Sequence, residues 1–170
     1  MQPLDLKTIL GLSDVRRWHT VHTLREQTVA DHSARVAALA LLIGSPELTI
    51  VQQFQALYWG LAHDAHETVY GDIPNPAKTL MERANIGLDR RCQVMFWGEH
   101  GGFPEIDPLV LDLVAIVDRL DAALFCGSAA PGIAAEIAHD AQILALMLLT
   151  GNARAGMLQR AVEIVWGVLR

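Results

Sequence analysis

The sequence predicts an all-α protein, a single-domain bundle of about six or seven helices. Three observations carry that prediction. Apolar residues recur at three- and four-residue spacings in the long segments, and β-alternation never lasts long enough to build a sheet. The breaks are short: Gly44 and Pro46, Gly101-Gly102, Pro131-Gly132 and Gly151. The chain has 170 residues, 52% of them apolar and 19% charged. That is one domain's worth of sequence, with enough apolar surface for a core without disulfides.

A short first helix is expected over residues 3–12. The polar loop that follows, 13–27, holds Arg16, Arg17, Trp18, His19, His22 and Arg25. Thr28 with Asp31 makes a capping pair that opens the second helix, and Gly44 closes it. The third helix is expected over residues 48–64. It cannot continue through Tyr70-Gly71-Asp72-Ile73-Pro74-Asn75-Pro76, where two prolines and a glycine make a rigid, irregular connection. Later helices are expected over 77–99, 108–126, 133–149 and 152–169. The last two carry more apolar residues than one buried stripe needs, at 143–149 and 162–169, which predicts a subunit interface.

Charge and hydropathy narrow the partners. With 13 Lys+Arg against 19 Asp+Glu the net charge is −6, and no basic run offers a local field for extended nucleic acid. An anionic ligand has to be met by a few placed cations. The longest apolar runs, 36–43 and 143–149, fall far short of the roughly 20 residues of a membrane span, and the first residues lack the pattern of a signal peptide. Cys92 and Cys126 have no metal-like spacing and read as reduced, buried thiols. A cytoplasmic protein is expected.

The chemistry shows where the helical pattern breaks. His32 shares a face with Val36, Leu39, Ala40 and Ile43, and Asp118 shares one with Leu111, Val114, Ala122 and Phe125. His63 and Asp64 close the third helix, one turn after Trp59. Adjacent ligands cannot lie on one side of a regular helix, so the helix is expected to fray at Asp64. A single core histidine is usually hydrogen-bonded and a single buried aspartate usually pairs with arginine, so the conjunction carries the weight. The His-Asp pair occurs twice. His139-Asp140 sits mid-helix without a ligand-type neighbour and reads as a surface pair, whereas His63-Asp64 is followed by Glu67 and Asp72. Two imidazoles and two carboxylates without a thiolate suit a catalytic transition-metal ion better than calcium or a structural zinc. His22 and His66 read as surface residues, and Trp59 and Trp97 as core. Arg25 reads as a partner of Glu26 or Asp31, or as a phosphate contact.

Taken together, Arg17-Trp18, Arg25 and Asp31-His32-Ser33, then His63-Asp64-x-x-Glu67, Asp72-Ile73-Pro74-x-Pro76-x-Lys78, and Asp118-x-x-Asp121-Ala122 resemble the HD-domain metal-dependent phosphohydrolases. Within that family the likeness is to the bacterial 5′-deoxynucleotidases and the small phage dATP triphosphohydrolases, and it spans residues 17–126. The resemblance implies four metal ligands, His32, His63, Asp64 and Asp118. It implies that Glu67 activates or orients water and protonates the leaving group, and that Asp72 is a second acid holding the catalytic network. Arg17 and Lys78 would contact phosphate, and Trp18 the base or sugar. Thr20 and Pro76 stand where they would border the base. The implied cofactor is a divalent transition metal, Zn, Co, Mn or Fe, with Mg as a further ion on substrate phosphates. The implied assembly is a homo-oligomer.

The expected reaction is hydrolysis of a deoxynucleoside triphosphate of the dATP type to deoxynucleoside and triphosphate. The short connection from Asp72 to Asp118 favours it over 5′-deoxynucleotidase action on monophosphates. An iron-dependent oxygenase would need more histidines near His63 than His66 alone. A non-catalytic metal-binding module would not need Glu67 and Asp72 beside an open loop.

Overall fold

The computed structural model describes residues 4–84, 87–130, 132–133, 136–140, 143 and 155–168. Its helices are α1 (Leu6–Gly11), α2 (Val29–Gly44), α3 (Ile50–Ala62), α4 (Glu67–Tyr70), α5 (Asn75–Arg83), α6 (Leu88–Glu99), α7 (Pro108–Ala129) and α8 (Ala155–Val168). Among the described residues there is no strand beyond an isolated antiparallel bridge between Arg16 and Thr28, so the all-α class holds. None of the described helices is long and apolar enough to cross a membrane.

Local chemistry sets the helix starts. Thr28 Oγ1 accepts from the Asp31 N–H at 3.1 Å while Asp31 Oδ2 accepts from the Thr28 N–H at 3.1 Å, closing the capping box that opens α2. Thr49 and Gln52 form a second such box on α3, which the sequence reading did not single out. At α7, Asp107 Oδ1 accepts from the Leu109 N–H at 2.8 Å, and Pro108 occupies a first-turn position where no N–H is needed.

The core lies where α2, α3 and α7 meet, with Val36, Ala40 and Ile43 of α2 against Leu113, Val117 and Leu120 of α7 in one buried cluster. Burying such side chains contributes about 1.5–3 kcal/mol apiece. A Cβ added to Gly60 on α3 would stand 2.6 Å from the Ala37 Cα of α2, so only glycine permits this approach. The close crossing brings His32 of α2 beside His63 at the end of α3, with ring centroids 5.4 Å apart. α8 packs over α7 and α2, where Arg160 donates to the Ile43 carbonyl and pairs with Glu47, each at 2.6 Å.

Several boundaries differ from expectation. The helix expected over 77–99 is two, because Gly87 takes a left-handed φ of +53° and α6 begins anew after it. α3 ends at Ala62, so the anticipated fraying sets in at His63, which is its C-cap. The segment between the third helix and the proline-rich connection forms the single turn α4, and α7 runs on to Ala129. Within 133–149, residues 133, 136–140 and 143 are helical, and the rest lies outside the described residues. The interface expected at 143–149 therefore falls almost wholly outside them, as do the side chains from 165 onward at the chain end.

Loop 13–27 is pinned at both ends. Beside the Arg16–Thr28 bridge, the Arg17 N–H donates to the Gln27 carbonyl and the Val29 N–H to the Val15 carbonyl, both at 2.9 Å. Further along, the Leu24 N–H donates to the Ala129 carbonyl at 2.8 Å, tying the loop to the end of α7. Arg17 and Trp18 are thereby held over the seam between α2 and α7.

Candidate active site

Hydrogen bonds behind the two imidazoles determine what their front faces offer. His63 Nδ1 lies 3.0 Å from the Gly60 carbonyl, which can only accept, so Nδ1 carries the proton. His32 Nδ1 lies 2.7 Å from Asp121 Oδ2. Burial raises the Asp121 pKa, but the hydrogen bond from His32 and the Arg35 guanidinium outweigh it and hold the group below the usual carboxylate range. Asp121 is therefore an acceptor too. In the neutral ring each Nε2 is left as a lone pair, and both atoms are buried and without a hydrogen-bond partner.

Those lone pairs face carboxylate oxygens. His32 Nε2 is 3.1 Å from Asp118 Oδ1 and 3.6 Å from Asp64 Oδ2, and His63 Nε2 is 3.3 Å from Asp64 Oδ2. Ligand atoms of His32, His63 and Asp118 all lie within 4.8 Å of one another. Lone pairs opposed at such distances repel unless a cation stands between them. Without a metal a proton takes that role: burial disfavours charge on His63, yet the neighbouring Asp64 carboxylate carries its pKa up to about 9. The donors that stand this close, two imidazoles and the Asp118 carboxylate, suit a divalent transition metal, with Asp64 beside them but outside that group.

Arg17 closes one side. Its Nη1 donates to Asp64 Oδ2 at 3.0 Å and its Nη2 stands 4.0 Å from Asp118 Oδ1. Glu67, the first residue of α4, is almost fully buried, and Lys78 Nζ approaches its Oε1 at 3.5 Å. Burial, reinforced by the nearby negative charge of Asp64 and opposed by Lys78, pushes the Glu67 pKa up to about 9.

A cavity of about 710 Å³ opens beside this cluster. Its wall includes Arg17, Trp18, Thr20, His63, Asp64, Asp72, Pro76, Lys78 and Asp118. Nine of the sequence-predicted site residues thus meet at one cavity, while His32 and Glu67 are buried behind its wall. Asp72 also has His19 Nδ1 at 3.8 Å. His66 is buried, not at the surface, because α4 turns it under the core. Asp140 is exposed but lines the cavity with Glu136 and Ile137, so His139-Asp140 is not remote from the site. Arg25 takes neither acidic partner; it donates to Ser128 Oγ at 2.9 Å and lies over the Phe125 ring.

Asp121 and Gln27 were given no role by the sequence reading. Asp121 had a signal, three residues after Asp118 on a mostly apolar helix. Gln27, in a polar loop, had none. Yet Gln27 is buried, its Nε2 donating to Asp121 Oδ2 at 2.9 Å and its Oε1 accepting from the Trp18 indole at 2.5 Å. Trp18 has a φ of +64° and stacks on Phe125 with centroids 5.7 Å apart.

Comparison with known proteins places this site among relatives. Residues 6–86 match the family described as 5′-deoxynucleotidase YfbR-like. A dATP triphosphohydrolase of Salmonella phage PMBT28 is 37% identical over 93 residues, 50% of this chain and 46% of the relative. A 5′-deoxynucleotidase of Shewanella oneidensis is 32% identical over 68 residues, 38% of this chain and 35% of the relative. The chain thus spans less than half the length of the curated relatives it matches. Among solved structures, the cyanophage S-2L HD phosphohydrolase DatZ, bound to dA and one catalytic Zn²⁺ ion, superposes with a TM-score of 0.74 at 18% identity, covering 99% of each chain. That likeness establishes the shared fold. Residues 6–86, which carry His32, His63-Asp64 and Glu67, are thus similar to the 5′-deoxynucleotidase YfbR-like family, over just under half of the chain.

Proposed function

We propose that the chain is a single HD domain that hydrolyses deoxynucleotide phosphates with a divalent transition metal held by His32, His63, Asp64 and Asp118. The observation that carries the reading is the pair of buried Nε2 lone pairs turned on carboxylate oxygens, an arrangement that calls for a cation. A metal ion bound there would polarise a phosphoryl oxygen and lower the pKa of a water. Arg17 and Lys78 bind phosphate, the local cations an acidic chain needs. Trp18 offers its ring to the base or sugar, with Thr20 and Pro76 at the border of the base. Asp72 steadies the catalytic network. Glu67, protonated in its buried setting, supplies the proton for the leaving O5′.

The substrate we favour is a deoxynucleoside triphosphate of the dATP type. The water oxygen bonds to the α-phosphorus, the bond from that phosphorus to O5′ breaks, O5′ takes the Glu67 proton, and the proton shed by the water returns to the Glu67 carboxylate, leaving deoxynucleoside and triphosphate. The phage relative named dATP triphosphohydrolase supports this choice. The family description and the Shewanella relative support the other, a 5′-deoxynucleotidase releasing orthophosphate from a monophosphate. Zn, Co, Mn or Fe would suit the ligands, with Mg on the substrate phosphates. A cytoplasmic location, the host cytoplasm for a phage-encoded chain, is part of the proposal, because deoxynucleotide substrates are found there. Self-association is part of the proposal, supported by the exposed apolar row Ile50, Phe54, Leu57 and Leu61 along α3.

The test is to incubate the purified protein with each deoxynucleoside mono- and triphosphate and Mn, Co, Zn or Mg, then to separate the products. Deoxyadenosine and triphosphate from dATP are expected. Orthophosphate from monophosphates alone would select the 5′-deoxynucleotidase, and no product from any pairing would contradict the proposal.

A further inference from the structure

We propose that Gln27 is a positioning residue that couples the Trp18 indole to the metal site through Asp121 and His32. The inference rests on the reading above, in which Trp18 meets the nucleoside and His32 holds metal. It begins with a side chain out of place. Gln27 follows exposed Arg25 and Glu26 in a polar loop, yet it is only 2% exposed. A buried amide requires partners for both of its ends, and both are present.

The polarity of the chain of bonds follows from its first member. An indole N–H can only donate, so the Gln27 atom facing Trp18 is Oε1 and the atom facing Asp121 is Nε2. Nε2 donates to Asp121 Oδ2, the same oxygen that accepts from His32 Nδ1, while Arg35 pairs with the Asp121 carboxylate at 2.6 Å. That fixes the His32 tautomer and leaves Nε2 as the lone pair toward Asp118. Turning the amide over would set N–H against N–H at Trp18 and leave a carbonyl oxygen facing a carboxylate at Asp121. The Trp18 rotamer, the Gln27 amide and the His32 tautomer therefore form one unit.

Trp18 needs such a hold. Its φ of +64° lies in the left-handed region that a bulky residue rarely adopts, and the Gln27 bond together with the stack on Phe125 keeps it there. Outer partners of metal-ligating histidines orient the ring and tune its affinity. Here that support extends one residue further, to the aromatic wall of the cavity. Coupling of this kind is reciprocal, so metal and nucleoside each favour binding of the other.

The test uses Co²⁺ alone, followed by visible absorption of the bound ion, with no substrate present. Trp18→Phe keeps a ring on Phe125 while removing the indole N–H with the pyrrole ring that carries it; it is expected to weaken Co²⁺ binding about 3- to 10-fold, although the Trp18 indole hydrogen-bonds to Gln27 and not to a proposed metal ligand. Gln27→Leu is expected to weaken it about 10- to 100-fold, the range found for outer partners of metal ligands. In the double variant the Trp18→Phe loss should vanish, because the path is already cut. Unchanged Co²⁺ affinity in Trp18→Phe, or losses that simply add, would overturn the coupling while leaving the metal reading intact. A wild-type chain that takes up no Co²⁺ would overturn both. If Gln27→Leu does not fold, the Trp18→Phe titration decides alone.

Discussion

His63 closes α3 with its Nδ1 tied to the Gly60 carbonyl, and that one bond decides which nitrogen faces Asp64. His63→Ala should therefore abolish metal-dependent phosphate release, with bound metal per chain falling in elemental analysis. Glu67 is poised differently: it is buried behind the cavity wall, and that burial raises its pKa. Glu67→Gln should keep the metal and lower kcat by about 10²- to 10⁴-fold, the usual contribution of a positioned acid or base; loss of metal by this variant would make Glu67 a ligand instead. Trp18→Ala should act mainly on KM, raising it about 10-fold, as expected for loss of one stacking surface. At this scale the sequence was readable where a polar residue interrupts an apolar face, as at His32 and Asp118. It was silent where the interruption sits in a loop. Nothing in residues 13–27 separates Gln27 from its exposed neighbours, because the bridge that folds the loop over Asp121 joins Arg16 to Thr28.

The helices that carry these residues are legible wherever a cap and a period agree. Thr28 with Asp31 marks the start of α2, and the break after Ala62 lets the adjacent His63 and Asp64 both face one site. The segment 77–99 misled because one glycine inside a helical pattern is usually tolerated, and only the left-handed φ at Gly87 divides it. His139-Asp140 is exposed, as expected of a surface pair, but the cavity that Asp140 borders was not legible, since it is built by residues far from it in sequence. Two substitutions test the packing of the elements. Gly60→Ala drives a Cβ into the Ala37 backbone and should cost about 1–3 kcal/mol in urea unfolding, since the α2–α3 crossing has no flexible atom to yield. Thr49→Ala removes the α3 capping box and should cost about 1 kcal/mol, with Co²⁺ affinity unchanged.

Across the whole molecule, acidity and apolarity serve one arrangement. The net charge of −6 argued against extended nucleic acid, yet Asp64, Glu67, Asp72 and Asp118 gather around a place for a cation, with Arg17 and Lys78 beside them. The apolar core formed by α2, α3 and α7 buries the imidazoles so that their tautomers are set by single bonds, and its polar exceptions mark the site. Fold class followed from periodicity because nearly every long segment has the same period. The size of the cavity and the contacts behind its wall depend on how helices cross, which no local pattern encodes. The most direct measurement is product release from dATP with added Co²⁺ or Mn²⁺ by the wild-type chain and by Asp64→Ala. The account predicts deoxyadenosine and triphosphate from the first and neither from the second; full activity of Asp64→Ala would contradict it.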